Sequence, residues 1–285
     1  MTNPGPSPGG SGPLIVKIGG TVAADTACTA LLLKELSTIG RPAVLVHGGG
    51  KSVSAMSSTL GMNPQFRDGI RITTPEEMEV VDMVLAGRVN TELVRLAHRH
   101  HVPALGLTGA DGGLLVGRLL IPEDDGTSGA TAVPDSEFRP ETRTARPHRV
   151  EPSVLKMALA SGYLPIVATV GIGEDGEAVN INADEAAQAI AEAMDGATLC
   201  YLSDIPGVLD GEGTVIREIG PETIESLIAS GVARDGMAAK LRSCAVAVKS
   251  GVGAVMIGRY LARGDLERLI HGDGGSAIRP MQDDV

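Results

Sequence analysis

The strongest constraint on the fold is a regular alternation of short apolar segments, typical of strands, with longer segments typical of helices. The strand-type segments cover residues 14–18, 43–46, 104–107, 164–169, 198–202 and 254–257. The helix-type segments cover residues 24–39, 52–60, 75–100, 153–161, 183–194, 221–230 and 237–250. This alternation predicts an α/β protein in which helices cover both faces of a central, mostly parallel sheet, with ligands bound beyond the carboxyl ends of the strands.

Length and hydrophobic content limit the classes of protein that the chain can form. Its 285 residues are 43% hydrophobic, so it can bury a substantial core in one large domain or two lobes. No apolar run approaches the roughly 20 residues of a membrane-spanning helix, so we expect no membrane partner. Residues 1–13 lack the regions of a signal peptide and are expected to form a disordered leader.

Charge and cysteine content exclude further classes of function. A formal net charge of -11, with two Phe, three Tyr and no Trp, argues against a nucleic-acid partner, which needs cations and aromatic rings. Cys28, Cys200 and Cys244 are widely spaced and form no CxxC pair. They predict reduced, buried thiols in a cytoplasmic protein rather than a disulfide framework or a zinc site, and we expect no metal ion held by the protein itself.

Glycine-rich turns follow the first two predicted strands. LIVKIGG places Lys17 in a strand that ends at Gly19 and Gly20, and AVLVHGG runs into VHGGGK at residues 46–51. Glycine lets an anion approach the main chain, and a helix that starts there adds the positive end of its dipole. These turns therefore predict anion sites, although a tight turn without a ligand is the alternative for either one alone.

The segment VNINADEAAQ starts a predicted helix with a dense set of polar residues. Asn182 can cap this helix, and Glu185 can complete a capping box. Asp184 lies in the first turn, where the helix dipole favours its ionised form. Helix capping accounts for the polar side chains of Asn182 and Glu185. It accounts less well for those of Asn180 and Asp184, so these two are candidate site residues.

A further pair of motifs completes the candidate site. LSDIPGVLDGEG is a strand that runs into an Asp-x-Pro-Gly turn and a hairpin, and RDGMAAK then places Lys240 in the first turns of a helix. Two distant lysines, an aspartate able to orient them and glycine N–H donors fit phosphoryl transfer, which needs positioning and charge neutralisation. The chain contains no GxxxxGK[ST] motif and no protein-kinase motif set.

Residues 118–150 interrupt the alternation, because they are rich in Pro, Gly, Ser, Thr and charge and poor in apolar residues. An irregular segment of this length predicts a mobile lid, a hairpin extension or an ordered contact, with a tolerated surface insertion as the alternative. The segment contains a basic cluster, which consists of Arg139, Arg143, Arg146, His148 and Arg149. The basic cluster could meet an acidic carrier protein or balance Glu123, Asp124 and Asp125 in a solvated loop.

Seven motifs occur in a fixed order over residues 14–258: KIGG, VHGGGK, DGIRITTPEEMEVVDMVLAGRVN, ALGLTGADGG, GYLPIVATVGIGEDGEAVNINADEAAQAIA, YLSDIPGVLDGEG and DGMAAK. This series resembles the amino acid kinase family, and within it the branch that phosphorylates N-acetyl-L-glutamate. The resemblance implies a three-layer αβα sandwich of the amino acid kinase fold. It also implies a homodimer, an N-terminal lobe at 14–197 for the acceptor and dimerisation, and a C-terminal lobe at 198–285 for ATP.

The resemblance also implies roles for individual residues. Lys17 and Lys240 match lysines that stabilise the transferring phosphoryl group, and Asp184 matches the aspartate that organises them. The implied substrate-binding residues are Gly49, Gly50, Arg71 and Asn180. The implied ATP-binding residues are Gly19, Gly20, Ser203, Asp204, Gly207, Val208, Leu209, Gly236 and Met237. For Arg71, the alternative is an ion pair with Glu76, Glu77 or Asp82.

The implied reaction is the attack of a substrate carboxylate on the γ-phosphorus of ATP, with Mg²⁺ carried by the ATP phosphates. Because the attacking carboxylate is already ionised, no general base is required. The alternative acceptors are aminoadipate or glutamate attached to an acidic carrier protein, or a carbamate, a phosphonate or a specialised amino acid. A non-enzymatic amino-acid sensor is a further alternative, but it should have lost a residue such as Lys17, Asp184 or Lys240, and all three are present.

Overall fold

The computed structural model describes residues 12–67, 70–120 and 142–281 of the protein. Most of the predicted leader, and residues 121–141 of the interrupting segment with Arg139 and the acidic residues 123–125, lie outside the described residues. The strands are β1 (Leu14–Ile18), β2 (Ala43–His47), β3 (Gln65–Arg67), β4 (Ile70–Ile72), β5 (Ala104–Thr108), β6 (Leu115–Leu119), β7 (Thr144–Val150), β8 (Leu164–Ala168), β9 (Val170–Gly173), β10 (Ala178–Ile181), β11 (Thr198–Ser203), β12 (Glu218–Ile219), β13 (Ala254–Arg259) and β14 (Ser276–Ile278).

The helices alternate with these strands much as the sequence predicts. The α-helices are α1 (Gly20–Ala24), α2 (Thr26–Thr38), α3 (Gly50–Thr59), α4 (Pro75–Asp82), α5 (Thr91–Arg99), α6 (Ser153–Ala160), α7 (Ala183–Glu192), α8 (Ile224–Ala229), α9 (Asp235–Lys249) and α10 (Asp265–Ile270). A π-helix, Met83–Asn90, joins α4 to α5, and a short 3₁₀ turn covers Asp111–Gly113.

An eight-stranded sheet in the order β12-β14-β13-β11-β1-β2-β8-β5 forms the centre of the molecule. The neighbouring strands from β13 to β5 are parallel, whereas β14 runs antiparallel to β13. Strand β11 pairs with β1 along its length, so the sheet continues through both predicted lobes. The division into lobes at residue 197 remains a prediction.

Two apolar cores lie on the two faces of this sheet, because side chains of each strand alternate between the faces. On one face, Ile15 packs with residues of α7 and α9. On the other face, Leu14 and Val16 pack with residues of α2, α5 and α10. Strands β2 and β8 are buried along their whole length, as is typical of parallel strands covered on both sides. The predicted three-layer α/β architecture is confirmed.

The interrupting segment is more ordered at its ends than the sequence indicates. Strands β6 and β7 include Arg118–Leu119 and Thr144–Val150, and they form a closed four-stranded barrel with β9 and β10. The prediction of irregular chain is therefore wrong for these residues, while the antiparallel pairing of β6 with β7 corresponds to the hairpin that was one of the three predicted forms. Pro147, which argues against a strand, is tolerated because it pairs with Gly117 where the register shifts at an irregularity.

The helix predicted over residues 75–100 is interrupted by the π-helix. Thr74 accepts a hydrogen bond from the Glu77 N–H and caps the start of α4, with Pro75 in the first turn. The π-helical turns keep apolar positions such as Val84 and Leu85 buried, so the apolar pattern of the sequence does not reveal the change of helix type. π-Helical turns occur frequently at functional sites.

All three cysteines are buried and free, as predicted. Burial raises the pKa of the Cys200 and Cys244 thiols to about 12, so both remain protonated near neutral pH. Among the described residues, no helix combines the length and apolar character needed to cross a membrane.

Candidate active site

The ends of three neighbouring strands bring the predicted turns to one edge of the sheet. Ile18 at the end of β1 is in register with His47 of β2 and with Leu202 of β11. The chain therefore leaves β1 at Gly19 and β2 at Gly48, beside Ser203 at the end of β11. Helix α1 begins just after the first of these exits, and α3 begins just after the second. Ligands of parallel α/β sheets bind at this carboxyl edge.

Asp184 lies between the two predicted lysines. Its Oδ1 is 2.8 Å from Lys17 Nζ, and its Oδ2 is 2.9 Å from Lys240 Nζ. Asn182 caps α7 by accepting hydrogen bonds from the N–H groups of Asp184 and Glu185, which fixes Asp184 in the first helical turn. The structure thus brings together three residues from β1, α7 and α9 into one ion-pair cluster.

The charge state of this cluster follows from its surroundings. Burial by itself would raise the pKa of Asp184, but the charges of Lys17 and Lys240 outweigh burial and hold that pKa below its usual value. Asp184 therefore remains ionised, and the cluster of two ammonium groups and one carboxylate has a net charge of +1. The lysine side chains are 17% and 25% exposed, so their charges can still reach a ligand.

Tyr201 is a member of the site that sequence reasoning missed. Lys240 Nζ lies 4.6 Å from the centre of the Tyr201 ring, and the Tyr201 hydroxyl donates a hydrogen bond of 3.2 Å to the main-chain carbonyl of Asp184. Burial raises the pKa of Tyr201 well above its usual value, so the hydroxyl remains a donor. The sequence offered one indication of this role, because Tyr201 lies directly before Leu202 and Ser203 at the carboxyl end of β11, where the site is expected.

Two of the three glycines in the turn Gly48–Gly50 pack closely against neighbouring helices. A Cβ atom placed on Gly48 would lie 3.3 Å from Ala183 Cβ, beside Asp184, and one placed on Gly49 would lie 2.7 Å from Leu85 Cδ2. A Cβ on Gly50 would meet nothing within 4 Å. The close approach of α7 and of the π-helix therefore explains why Gly48 and Gly49 have no side chains. Gly50 is the first residue of α3, and the position of its missing side chain is open.

Arg71 is held by the first turns of α3 and by α4. Its guanidinium donates hydrogen bonds to Glu77, to the Ser54 hydroxyl and to the Gly50 carbonyl. Its Cζ atom lies 4.7 Å from the centre of the Phe66 ring. Arg71 and Glu77 are both buried. The ion pair with Glu77 that the sequence left open is therefore present, and it ties Arg71 to the start of α3.

Asn180 reaches Arg71 through two threonines. Its Nδ2 donates a 2.9 Å hydrogen bond to Thr73 Oγ1, and the Thr73 N–H donates to Thr144 Oγ1 at 3.0 Å. The Thr144 hydroxyl in turn donates to the Arg71 carbonyl at 2.6 Å. The barrel strands β7 and β10 are thereby joined to β4, so the two predicted substrate-binding residues belong to one hydrogen-bonded unit.

The residues predicted for ATP binding have different surroundings. The Gly19 N–H donates to the Leu202 carbonyl at 2.9 Å, so it already has an acceptor, while Gly20 begins α1. Ser203 Oγ accepts a hydrogen bond from the Ile205 N–H, and Asp204 is exposed. Helix α9 begins at residue 235, which places Gly236 and Met237 in its first turn.

The turn after β11 is built around a glycine. Gly207 has φ +149°, and a Cβ there would lie 2.8 Å from Ser276 Oγ, so only glycine fits without strain. The Val208 N–H donates to Ser276 Oγ, and its side chain is part of the core. Leu209 is exposed and pairs with Val215, which confirms the predicted hairpin.

Three of the four described members of the basic cluster face acidic residues of the same chain. Arg143 forms an ion pair of 2.7 Å with Asp175, and Arg146 lies 3.7 Å from Glu185. His148 Nε2 lies 3.5 Å from a carboxylate oxygen of Glu174. Burial raises the pKa of Glu185, and Arg146 partly offsets that effect. These contacts distribute the positive charge over the barrel rather than concentrating it on one bare surface.

Two lysines held by one aspartate, at the edge where glycine turns meet, form a site suited to phosphoryl transfer. The sequence model of the amino acid kinase family matches residues 12–259. An acetylglutamate kinase of Gluconacetobacter diazotrophicus is 39% identical over 271 residues, which are 93% of this chain and 85% of that protein. The chain therefore belongs to the amino acid kinase family.

Solved structures show the same fold in more distant proteins. N-acetylglutamate synthase from Neisseria gonorrhoeae, complexed with coenzyme A and N-acetyl-glutamate, superposes with a TM-score of 0.75 at 19% identity, over 96% of this chain and 61% of that one. Carbamate kinase from Giardia superposes with a TM-score of 0.64 at 17% identity, over 95% of this chain and 99% of that one. At these identities, the likeness concerns the fold alone.

Proposed function

We propose that this protein transfers the γ-phosphoryl group of ATP to the side-chain carboxylate of N-acetyl-L-glutamate, giving N-acetyl-L-glutamyl 5-phosphate, as in arginine biosynthesis. The observation that carries the proposal is the cluster of Lys17, Asp184 and Lys240 at the edge where the glycine turns meet. The choice of acceptor is supported by the relative of 39% identity, which is named acetylglutamate kinase.

The proposed chemistry needs no protein nucleophile and no general base. The acceptor carboxylate is ionised near neutral pH, and the main barrier is the approach of two anions. The ammonium groups of Lys17 and Lys240 offset the negative charge of the transferring phosphoryl group and the leaving phosphate. Asp184, kept ionised by these lysines, holds both of them in place before the substrates arrive.

On the donor side, Mg²⁺ would enter with the phosphates of ATP. Among the described residues, no group of three or more His, Cys, Asp or Glu side chains could hold a metal ion. Bound in this way, Mg²⁺ neutralises phosphate charge. Gly20, Gly236 and Met237, at the starts of α1 and α9, are the proposed contacts to ATP, together with the turn at residues 203–209.

On the acceptor side, the N–H groups of Gly49 and Gly50 would bind the reacting carboxylate, and Arg71 and Asn180 would hold the rest of the substrate. Three hydrogen bonds already occupy Arg71, so the second carboxylate of the acceptor would meet its remaining N–H groups. The bonds to Glu77 and Ser54 would orient the planar guanidinium, so that its free Nε–H or Nη1–H donates to the acceptor carboxylate from a fixed direction that Lys could not reproduce.

We further propose that residues 14–197 bind the acceptor and form a homodimer, and that residues 198–285 bind ATP. A carrier-bound acceptor is not favoured, because the reported relative is named acetylglutamate kinase and the described basic residues Arg143, Arg146 and His148 face carboxylates of their own chain. A small free acceptor fits these observations better.

Hydroxamate trapping of the acyl phosphate tests the function. Purified protein with MgATP would receive N-acetyl-L-glutamate, N-acetyl-L-aminoadipate, free glutamate or no acceptor, and the Lys17→Met variant would serve as an inactive control. We expect strong turnover with N-acetyl-L-glutamate alone. A well-folded wild-type protein that is silent with N-acetyl-L-glutamate would overturn the proposal.

A further inference from the structure

The residue that precedes the glycine turn is a fully buried histidine to which the reaction assigns no role. His47 ends β2 and has no exposed surface. Its Nδ1 lies 2.9 Å from the carbonyl of Gly48, the first residue of the turn. Its Nε2 lies 3.1 Å from the amide nitrogen of Asn90, the last residue of the π-helix.

The carbonyl groups around Asn90 and His47 determine the direction of the hydrogen bonds at both side chains. Asn90 Nδ2 also faces the Ile166 carbonyl at 2.8 Å and the Leu107 carbonyl at 3.2 Å. A carbonyl can only accept, so the nitrogen of the amide must be on this side and must donate. The Gly48 carbonyl can likewise only accept, so Nδ1 carries the proton of neutral His47 and donates it to that carbonyl. This leaves Nε2 as an acceptor that faces the Asn90 amide.

The space that the Asn90 amide occupies is created by a glycine in β5. A Cβ atom on Gly106 of β5 would overlap Asn90 Oδ1. Asn90 is itself buried, so its hydrogen bonds have no competition from bulk water. The amide is thereby fixed against the carbonyls of Leu107 in β5 and Ile166 in β8.

The π-helix contacts the glycine turn at a second point. Leu85, five residues before Asn90, leaves only 2.7 Å between its Cδ2 and the position of a Cβ on Gly49. One face of the π-helix thus touches the turn through Leu85 at Gly49 and through Asn90 and His47 at Gly48. A regular α-helix over the same residues would present these two side chains with different spacing.

We propose that the π-helix, through Asn90, His47 and Leu85, is a positioning element that sets the orientation of the glycine turn for the acceptor carboxylate. None of the three residues needs to touch the substrate. The inference rests on the proposed function for the identity of the ligand, but the coupling between the π-helix and the turn can be measured without turnover.

Nuclear magnetic resonance can observe this coupling directly. Gly48 and Gly272 are the two glycines that follow a histidine in the chain, so carbonyl-¹³C histidine with ¹⁵N glycine selects their two amide signals. The variants are Asn90→Ala and Leu85→Ala, and Gly272, next to α10, is an internal control. We expect both variants to move the Gly48 signal and to leave the Gly272 signal in place.

Kinetics on the same variants separate positioning from general loss of structure. We expect the KM for N-acetyl-L-glutamate to rise roughly tenfold or more, because small displacements of binding groups have large effects, while the KM for ATP stays within about twofold. Thr198→Val is the matched control. Thr198 is also fully buried and accepts a hydrogen bond from Arg41, but it lies at the opposite end of β11 from the site. It should lower stability without altering either KM.

An unmoved Gly48 signal in both variants would overturn the positioning role whether or not the protein is active. Equal increases of the KM for ATP and for the acceptor would also overturn it. A silent wild-type enzyme in which both variants still move Gly48 would overturn the proposed acceptor while supporting the coupling. Leu85→Ala keeps the test decisive if Asn90→Ala does not fold, because it leaves no buried polar group without a partner.

Discussion

Lys240 lies over the ring of Tyr201, with its ammonium nitrogen 4.6 Å from the ring centre. Tyr201 is buried in β11, and its hydroxyl donates a hydrogen bond to the main-chain carbonyl of Asp184, so the position of the ring is fixed. The negative face of an aromatic ring attracts a cation, which adds a third restraint to the ion pair of Lys240 with Asp184. The lysine from α9 is therefore held at the site before ATP binds.

This relationship predicts different effects for two substitutions of Tyr201. Tyr201→Leu removes the ring and should lower kcat about fivefold, since a cation–ring contact is worth about 1 kcal/mol. Tyr201→Phe keeps the ring, loses only the hydrogen bond to the Asp184 carbonyl, and should keep kcat within about twofold. Steady-state kinetics on folded variants measure both. Equal loss of kcat in the two variants would show that the hydroxyl, not the ring, supports Lys240.

Removal of the Lys240 charge should act on the chemical step. Lys240→Ala is expected to lower kcat by roughly 10²–10³ and to change the acceptor KM little, because the charge is needed mostly in the transition state. Arg242→Ala is the control on the same helix. Arg242 is exposed and pairs with Glu225, so kcat should be unchanged. A change confined to KM in Lys240→Ala would contradict the assigned role.

Arg71→Lys tests whether the buried arginine serves the substrate or only the fold. Lysine keeps the charge but cannot reach Glu77, Ser54 and the Gly50 carbonyl together, so the free energy of unfolding should fall by about 1–3 kcal/mol. If Arg71 also grips the acceptor, the acceptor KM should rise and the ATP KM should not. Urea unfolding and initial-rate kinetics provide the two readouts.

Ser54→Ala supplies the comparison for this experiment, because it removes one acceptor of the Arg71 hydrogen bonds and leaves the guanidinium in the chain. We expect a smaller loss of stability and a smaller rise in acceptor KM than in Arg71→Lys. An Arg71→Lys variant that is less stable but has an unchanged acceptor KM would assign Arg71 to the fold alone.

His47 predicts part of the dependence of stability on pH. Burial lowers the pKa of His47 from 6.5 to about 4 in the folded protein, so the unfolded chain binds its proton first as the pH falls. The stabilisation is therefore complete above pH 6.5 and is lost on acidification toward pH 4. Between pH 7.5 and pH 5, the loss from this group is about 2 kcal/mol.

Urea unfolding at several pH values measures this loss. The His47→Gln variant cannot titrate at this position, so its stability should fall less steeply over the same interval. Thr198→Val, at a buried position without a titratable side chain, should keep the wild-type slope. Identical slopes for wild type and His47→Gln would mean that His47 is not buried in its neutral form.

Several parts of the site were predictable from the sequence because they depend on local patterns. The alternation of apolar segments indicated the parallel sheet, and parallel strands place their carboxyl ends at one edge. Gly19, Gly48 and Ser203 could therefore be expected near one another. Asn182 and Asp184 were recognisable from the chemistry of a helix start, which involves neighbouring residues only.

Other features could not be predicted from the sequence, because the residues that form them are distant from each other in the chain. Strand β7 is polar and contains Pro147, and its main-chain groups find partners in the barrel strands β6 and β10, which are distant in the chain. The preference of Arg71 for Glu77 over its acidic neighbours, and the ring of Tyr201 beneath Lys240, depend on how helices and strands pack. No local pattern reports such contacts.

The sequence by itself determined the layered architecture, the glycine exits from the sheet and the residue types of the site, because periodicity and turn chemistry act over a few residues. Only the tertiary structure decided that the ring of Tyr201 lies beneath Lys240, and that a π-helix places Asn90 against His47 behind the glycine turn. These contacts arise from the packing of whole elements in a dense interior, where burial selects partners that sequence separation does not reveal.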